Sequence, residues 1–455
     1  MFRKRFRAFL FAFILFGFFF PLFAADDKNE AEDQEEARLA TIRYGTETEI
    51  ASLIQSLRNE GVDYLDDELA ALVENTRNRN ILRGVFTFFG ERNKGGLEDR
   101  AIRAIEERDE ETSDTILEAV DYLGKVKAEK AVDALKGLIA LGERRFMNAS
   151  FLALGRVSAE NKGLADETAG YLIDYYKDRE PPDEYRRDII AAVGETGSSG
   201  GVEFLSGIAA NDEERMPLRT AALEGLSNIG DKDGLDAIIA AVSDGDPNVR
   251  SSAVAALGPF EGNAVDKAIL EAFRDSYYRT RIGAAQAARK RRLEDAVPYL
   301  EVRIERDDVP AVKDESIRAL GAIGSGKAIE ILEKFFTERK YSDRVRILAG
   351  NMLMDNDADK YADKLILELD NAQKASQTAL YNGLLKIAGE SKTGKLESIA
   401  RRFLESGGVT EKSYALDMVL NNTFRGFSQE IQALTEDKNA SLARKAKVTL
   451  EKLGE

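Results

Sequence analysis

Apolar positions recur along this chain at helical spacing, in short pairs of stripes. Between Asp244 and Asp275, Val249, Ala253, Ala256, Leu257 and Phe260 form one stripe; Val265, Ile269, Ala272 and Phe273 form a second. The pattern predicts two short helices joined by a Gly-containing turn, with Asp246 as a cap and Pro247 in the first helical turn. Neither helix buries its stripe alone, so each pair needs neighbours. Long β-branched or alternating runs are missing, which predicts an all-α chain.

The same stretch repeats. The position of Gly258 returns at Gly90, Gly124, Gly155, Gly194, Ser227, Arg289, Gly321, Met354, Leu385, Leu420 and Glu451, in steps of 31 to 39 residues. Arg219, Arg250 and Arg281, followed by Lys313 and Arg346, keep that beat; so do Asp212, Asp244, Asp275 and Asp307, and Pro217, Pro247 and Pro310. Several residue classes on one period mark a repeat array. A catalytic acid–base pair is needed once, whereas a ladder present in unit after unit reads as caps and inter-repeat bonds.

The motif V-R-x-x-A-x-x-A-L-G is complete from Val249 to Gly258 and close at Leu218-Arg219 with Ala222 and Leu226, and at Val312-Lys313 with Ala319-Leu320-Gly321. It resembles the short HEAT-like repeats of phycobilisome lyase proteins. The resemblance implies an α-α superhelix, a HEAT-like solenoid of about twelve helix pairs covering residues 46–455, with second helices along the concave face. Residues 46–75 read as an atypical first unit and 439–455 as a C-terminal cap.

Composition narrows the chemistry. The 455 residues include no Cys, no His and no Trp. Imidazole acid–base catalysis, thiolate nucleophiles and zinc–sulfur sites are thereby excluded. The HEAT-repeat deoxyhypusine hydroxylases, which the pattern also resembles, need His–Glu metal ligands that this chain cannot supply. Gly321 to Lys327 and Gly389 to Lys395 both fit G-x-x-x-x-G-K, but Ala328 and Leu396 follow where Ser or Thr would bind magnesium, and a helix precedes each. Asp355, Asp357 and Asp359 imitate the start of a calcium loop, yet Lys360 and Ile366 stand where Gly and Glu belong. The expectation is a non-enzyme with no cofactor, no catalytic residue and no metal site.

The first residues, MFRKRFR, precede an apolar run from Ala8 to Phe23, and Ala24-Ala25 supplies small residues before Asp26. Residues 1–25 read as a signal peptide, with an uncleaved anchor over residues 8–25 as the alternative. Removing them takes four of the 65 basic residues, leaving 61 against 81 acids, a net charge of −20. An acidic, flexible lead-in is expected over residues 26–45.

Two stretches stand out as candidate partner sites. Tyr277, Tyr278, Arg279, Arg289, Lys290, Arg291 and Arg292 gather aromatic and basic residues in an acidic chain, a composition suited to docking an acidic partner; the last four also end a helix, whose dipole favours cations. The longest step, Gly155 to Gly194, carries Tyr171, Tyr175, Tyr176, Pro181, Pro182 and Tyr185, as a binding edge or as core of a second helix. The sequence is thus read as an exported, non-enzymatic scaffold for protein–protein contacts in the periplasm or envelope of a bacterium. It would bind a protein or peptide and not nucleic acid. A membrane-anchored envelope protein, a cell-wall or carbohydrate binder and a lyase-type enzyme are the alternatives.

Overall fold

The computed structural model describes residues 26–61 and 63–454; the expected signal segment 1–25 lies outside the described residues. Helix α1 (Asp26–Tyr44) leads in. The array continues with α2 (Glu47–Glu60), α3 (Asp66–Asn75), α4 (Arg79–Glu91), α5 (Glu98–Glu106), α6 (Ser113–Lys125), α7 (Val132–Leu141), α8 (Arg144–Ser158) and α9 (Lys162–Arg179). Its middle is α10 (Asp183–Glu195), α11 (Val202–Ala210), α12 (Met216–Ile229), α13 (Leu235–Ala241), α14 (Pro247–Ala256), α15 (Asn263–Ala272), α16 (Tyr278–Arg291) and α17 (Val297–Arg306). The rest is α18 (Pro310–Ile323), α19 (Gly326–Thr337), α20 (Asp343–Asn356), α21 (Ala358–Lys374), α22 (Thr378–Glu390), α23 (Glu397–Ser406), α24 (Val409–Asn422), α25 (Ser428–Leu434) and α26 (Ala440–Leu453). Among the described residues there is no strand. The array is an α-α superhelix: each odd helix packs against the even helix that follows it, consecutive even helices pack on one another, and α26 closes the array against α24 and α25.

Residues 26–44, expected as flexible, are helical. Ile42 is buried and Leu39 packs on the core, so the last turns of α1 lie against α2 and α3. Arg38 adds a hydrogen bond to the Tyr64 hydroxyl at 2.8 Å. The acids cluster towards the N-terminus of α1, where the helix dipole favours negative charge. Gln34 to Ala37 remain exposed.

The two layers differ in spacing. Consecutive even helices touch along their length, because small residues line their seam; the odd helices meet over few residues. A Cβ on Gly194 of α10 would lie 2.3 Å from the Gly225 Cα of α12, so these two backbones are in direct contact. The even helices therefore form the closely packed layer of the stack and the odd helices the looser one, and the small-residue seam is the reason.

In the units that start with α12, α14 and α16, the Asp and Arg ladder closes the unit on itself, whereas among the described residues Lys313 of α18 makes no such pair and Arg346 of α20 pairs with Glu368 instead. Arg250 of α14 donates to both Asp275 oxygens, at 2.8 and 3.2 Å, and to the Asp244 carbonyl at 2.9 Å. Arg281 of α16 repeats this with Asp307, at 2.7 and 2.9 Å, and with the Asp275 carbonyl at 2.9 Å. Arg219 of α12 pairs with Asp244 in the same way. Each Asp also accepts from a backbone N–H two residues on: Asp246, Tyr277 and Val309. One carboxylate thus shapes the turn before an even helix and holds the Arg of the preceding one.

Candidate docking site

Helix α16 carries most of the sequence-predicted basic residues, and the structure divides them. Tyr277 is the N-cap residue and Arg289 to Arg291 form the last turn. Fourteen residues at 1.5 Å each separate the two ends by roughly 20 Å. The predicted patch is therefore two separate features at opposite edges of the array.

At the N-terminal edge, the Tyr277 hydroxyl donates to Asn248 Oδ1 at 3.0 Å, and its ring meets Tyr278 edge-on at 5.3 Å. Arg279 is exposed and donates to the Tyr278 hydroxyl at 3.2 Å. Close by in sequence, Phe273, Arg274, Pro298, Tyr299, Val302 and Arg303 line a shallow apolar cleft of about 270 Å³.

At the C-terminal edge the four consecutive cations do different work, because successive residues of a helix point about 100° apart. Arg291 turns inward, where it pairs with Asp266 and donates to the Phe260 carbonyl. It pins α16 to the preceding unit and offers nothing to a partner. Arg289 stands 2.9 Å from Glu315 of α18, and Arg318 of α18 donates to the other oxygen of that carboxylate at 3.3 Å. Lys290 and Arg292 are exposed, and among the described residues neither makes an ion pair or hydrogen bond through its side chain. Arg289, Arg292 and Arg318 form one wall of an open cleft of about 540 Å³ at the ends of α16, α18 and α20. Glu315 and Arg318 were not singled out by the sequence pattern. No other unit places a basic residue at the register of Arg318, and the units next to Glu315 have Gly283 and Leu348 at its register, so the period does not reveal the pair.

The other sequence features fall inside the scaffold. Tyr175 lies edge-on to Phe151 at 5.2 Å and Tyr176 edge-on to Phe204 at 5.1 Å. Both are half-buried, and burial pushes their hydroxyl pKa values up. They pack the long helix α9 against α8 and α11. The two G-x-x-x-x-G-K stretches are turns between paired helices: Gly324 ends α18 at φ 64°, and Lys395 pairs with Asp363 at 2.6 Å. The calcium-like aspartates are dispersed, with Asp357 capping α21 through the Lys360 N–H at 2.9 Å and Asp359 accepting from the Thr393 hydroxyl at 2.5 Å. Among the described residues, no helix is long and apolar enough to cross a membrane.

A two-layer stack of helix pairs, carrying a recurring Arg and Asp, is what comparison with known proteins must account for. The family described as Spirochaete HEAT repeat protein matches residues 42–449. The chain belongs to that family. Among curated proteins nothing matches it. Among solved structures, this HEAT-repeat chain is similar in fold to Kap121p, with 12% identity, a TM-score of 0.45, and coverage of 94% of this chain and 54% of Kap121p. Kap121p bound to Nup53p gives 13% identity and a TM-score of 0.43, covering 94% and 55%. The Escherichia coli protein YibA shows 16% identity and a TM-score of 0.37, covering 57% of this chain and 95% of its own. The chain spans about half the length of Kap121p.

Proposed function

We propose that this HEAT-repeat protein is an exported, non-enzymatic scaffold that holds a protein or peptide partner in the bacterial envelope, with units of the short type found in phycobilisome lyases. The observation that carries the reading is the rigid stack itself. Arginines of the mid-array such as Arg219, Arg250 and Arg281 are consumed by ion pairs within the stack, while Arg292 is left exposed beside a cleft in a strongly acidic chain. Arrays of this kind present an extended, preorganised surface, which lowers the ordering cost of binding. The basic start, the apolar run from Ala8 to Phe23 and the acidic exit support export.

Cell fractionation with mass spectrometry of the N-terminal residue tests the location. An envelope fraction whose chain begins near residue 26 is expected; an intact chain in the cytoplasm overturns export. Immobilised chain exposed to envelope proteins and, separately, to cell-wall glycans tests the partner class. Specific retention of protein is expected, and retention of glycan alone overturns the reading.

A further inference from the structure

We infer that the cleft at the ends of α16, α18 and α20 binds an acidic peptide segment of the partner, a carboxylate going to Arg292 and Arg318 and an adjacent apolar side chain to Ile323 and Met352. The inference rests on the scaffold reading and deepens it.

The cleft exists because the repeat is broken there. Arg289 occupies the register held by Gly258 one unit before and Gly321 one unit after. A guanidinium cannot enter the close seam that glycine allows, so it stands over Glu315 at the edge. The charges then do not balance. Arg289 and Arg318 share one carboxylate, and Lys290 and Arg292 have none. A wall of three cations, Arg289, Arg292 and Arg318, against one partner acid, in a chain of net charge −16, is a local reversal of sign that attracts anions.

Arg292 is also held in a costly conformation. It caps α16 with φ 50° and ψ 44°, in the left-handed region that disfavours side chains with a Cβ. The corresponding caps of α12 and α18 are glycines, Gly230 at φ 66° and Gly324 at φ 64°. Lys127, at the equivalent turn after α6 with φ 53°, spends its charge on Glu160 at 2.9 Å. Arg292 has no such use within the described residues. Its guanidinium points to a ligand supplied from outside.

The floor and far side select the ligand. Gly321, Ala322, Ile323 and Met352 give an apolar floor. Asn356 spends its amide on the Gly321 carbonyl at 2.9 Å, fixing α20 against α18. Asp355 closes the far rim. A doubly charged phosphate would face that carboxyl at close range. A singly charged carboxylate beside an apolar side chain matches both wall and floor, and that combination is found in an acidic peptide.

Fluorescence anisotropy of the full chain with a labelled Glu-Leu-Glu-Leu-Glu peptide tests this. Binding is expected, weakening as salt rises, since screening acts over about 8–10 Å. The peptide with Gln in place of Glu should bind at least about tenfold more weakly, the loss of one charge-assisted hydrogen bond or more. Arg292→Gly is the decisive variant: glycine relieves the left-handed cap, so Tm should rise while peptide affinity falls about tenfold. Arg318→Gln should weaken binding as well, and Arg279→Gln, at the far end of α16, should not. No binding by the unaltered chain, equal affinity for the Gln peptide, or a raised Tm with unchanged affinity in Arg292→Gly overturns the site. So does preferential binding of inorganic phosphate or of vesicles containing phosphatidylglycerol. If Arg292→Gly still retains envelope proteins as the unaltered chain does, the cleft fails and the scaffold reading stands; if the unaltered chain retains none, the scaffold reading fails.

Discussion

Two glycines in helix interiors show how far one residue's role depends on its neighbours. Gly194 in α10 lies against the backbone of α12, where an added Cβ would come within 2.3 Å of the Gly225 Cα. Backbone cannot step aside as a side chain can, so Gly194→Ala should destabilise by about 1–3 kcal/mol, the usual range for overpacking. Gly207 in α11 has nothing within 4 Å of the same added atom. There the ordinary helix preference for alanine prevails, and Gly207→Ala should stabilise by about 0.5–1 kcal/mol. Urea midpoints measured side by side check both signs. A shift in the same direction for both would mean that the even-helix seam is not the tight one.

At the scale of elements, the ladder decides how an even helix is seated. The Asp307 side chain is 1% exposed and Arg281 is 11% exposed, so this pair is largely removed from water. Arg281→Met leaves the buried carboxylate with only Arg303, 3.5 Å away, as a cationic partner, and a loss of about 3 kcal/mol is expected. Adding Asp307→Leu should recover much of it, which a double-mutant cycle would read. Burial raises the Asp307 pKa, but Arg281, the Val309 N–H and Arg303 together pull it below the usual carboxylate value. Asp244 and Asp275 are lowered by the same balance of burial against their Arg partners and backbone N–H groups. A carboxylate depressed on folding contributes stability above its unfolded pKa of about 3.9, and that contribution is lost as pH falls through the folded value. The array should therefore soften below about pH 4. Arg281→Met should approach the unaltered chain in stability as the medium is acidified, which denaturation midpoints from pH 7 to pH 3 would show.

Much of this element-level order was legible beforehand because it recurs: the caps, the Asp–Arg pairs and the helix count follow from one period. What recurs only once was not. Arg291 reads as one of four equal cations, and only its rotation about α16 towards Asp266 makes it an internal pin. Glu315 has acidic counterparts only in distant units, Glu118 and Asp188, while the units on either side carry Gly283 and Leu348 there, so no local period flags it. The union of Tyr277 and Arg289 into one patch failed for a metric reason, since sequence neighbours along a helix are carried apart by its rise. The helix of the lead-in was not legible in its acidic composition, which describes residues 26–37, while Leu39 and Ile42 anchor the helix that runs through them.

For the whole molecule, stability is a sum over units and the interfaces between neighbours. The even helices pack closely, and the odd helices, spaced apart, leave clefts between them such as the one beside Tyr299. The ladder adds one more consequence. Asp244, Asp275 and Asp307 are interchangeable, since each receives an Arg from the helix pair before it and orders the turn after it. Excising residues 245–275, 31 positions running from Gly245 to Asp275, would join Asp244 to Ser276 and leave Asp244 to serve Arg219 and the start of α16. A chain so shortened should fold cooperatively with unchanged helicity per residue, while an excision four residues longer, which removes Tyr277 and enters α16, should not; circular dichroism and small-angle scattering would distinguish them. Length in this molecule behaves as a copy number. In-frame recombination between the units of α12, α14 and α16 can lengthen or shorten the ruler by one mark at a time, and each of these marks arrives with its own fastening.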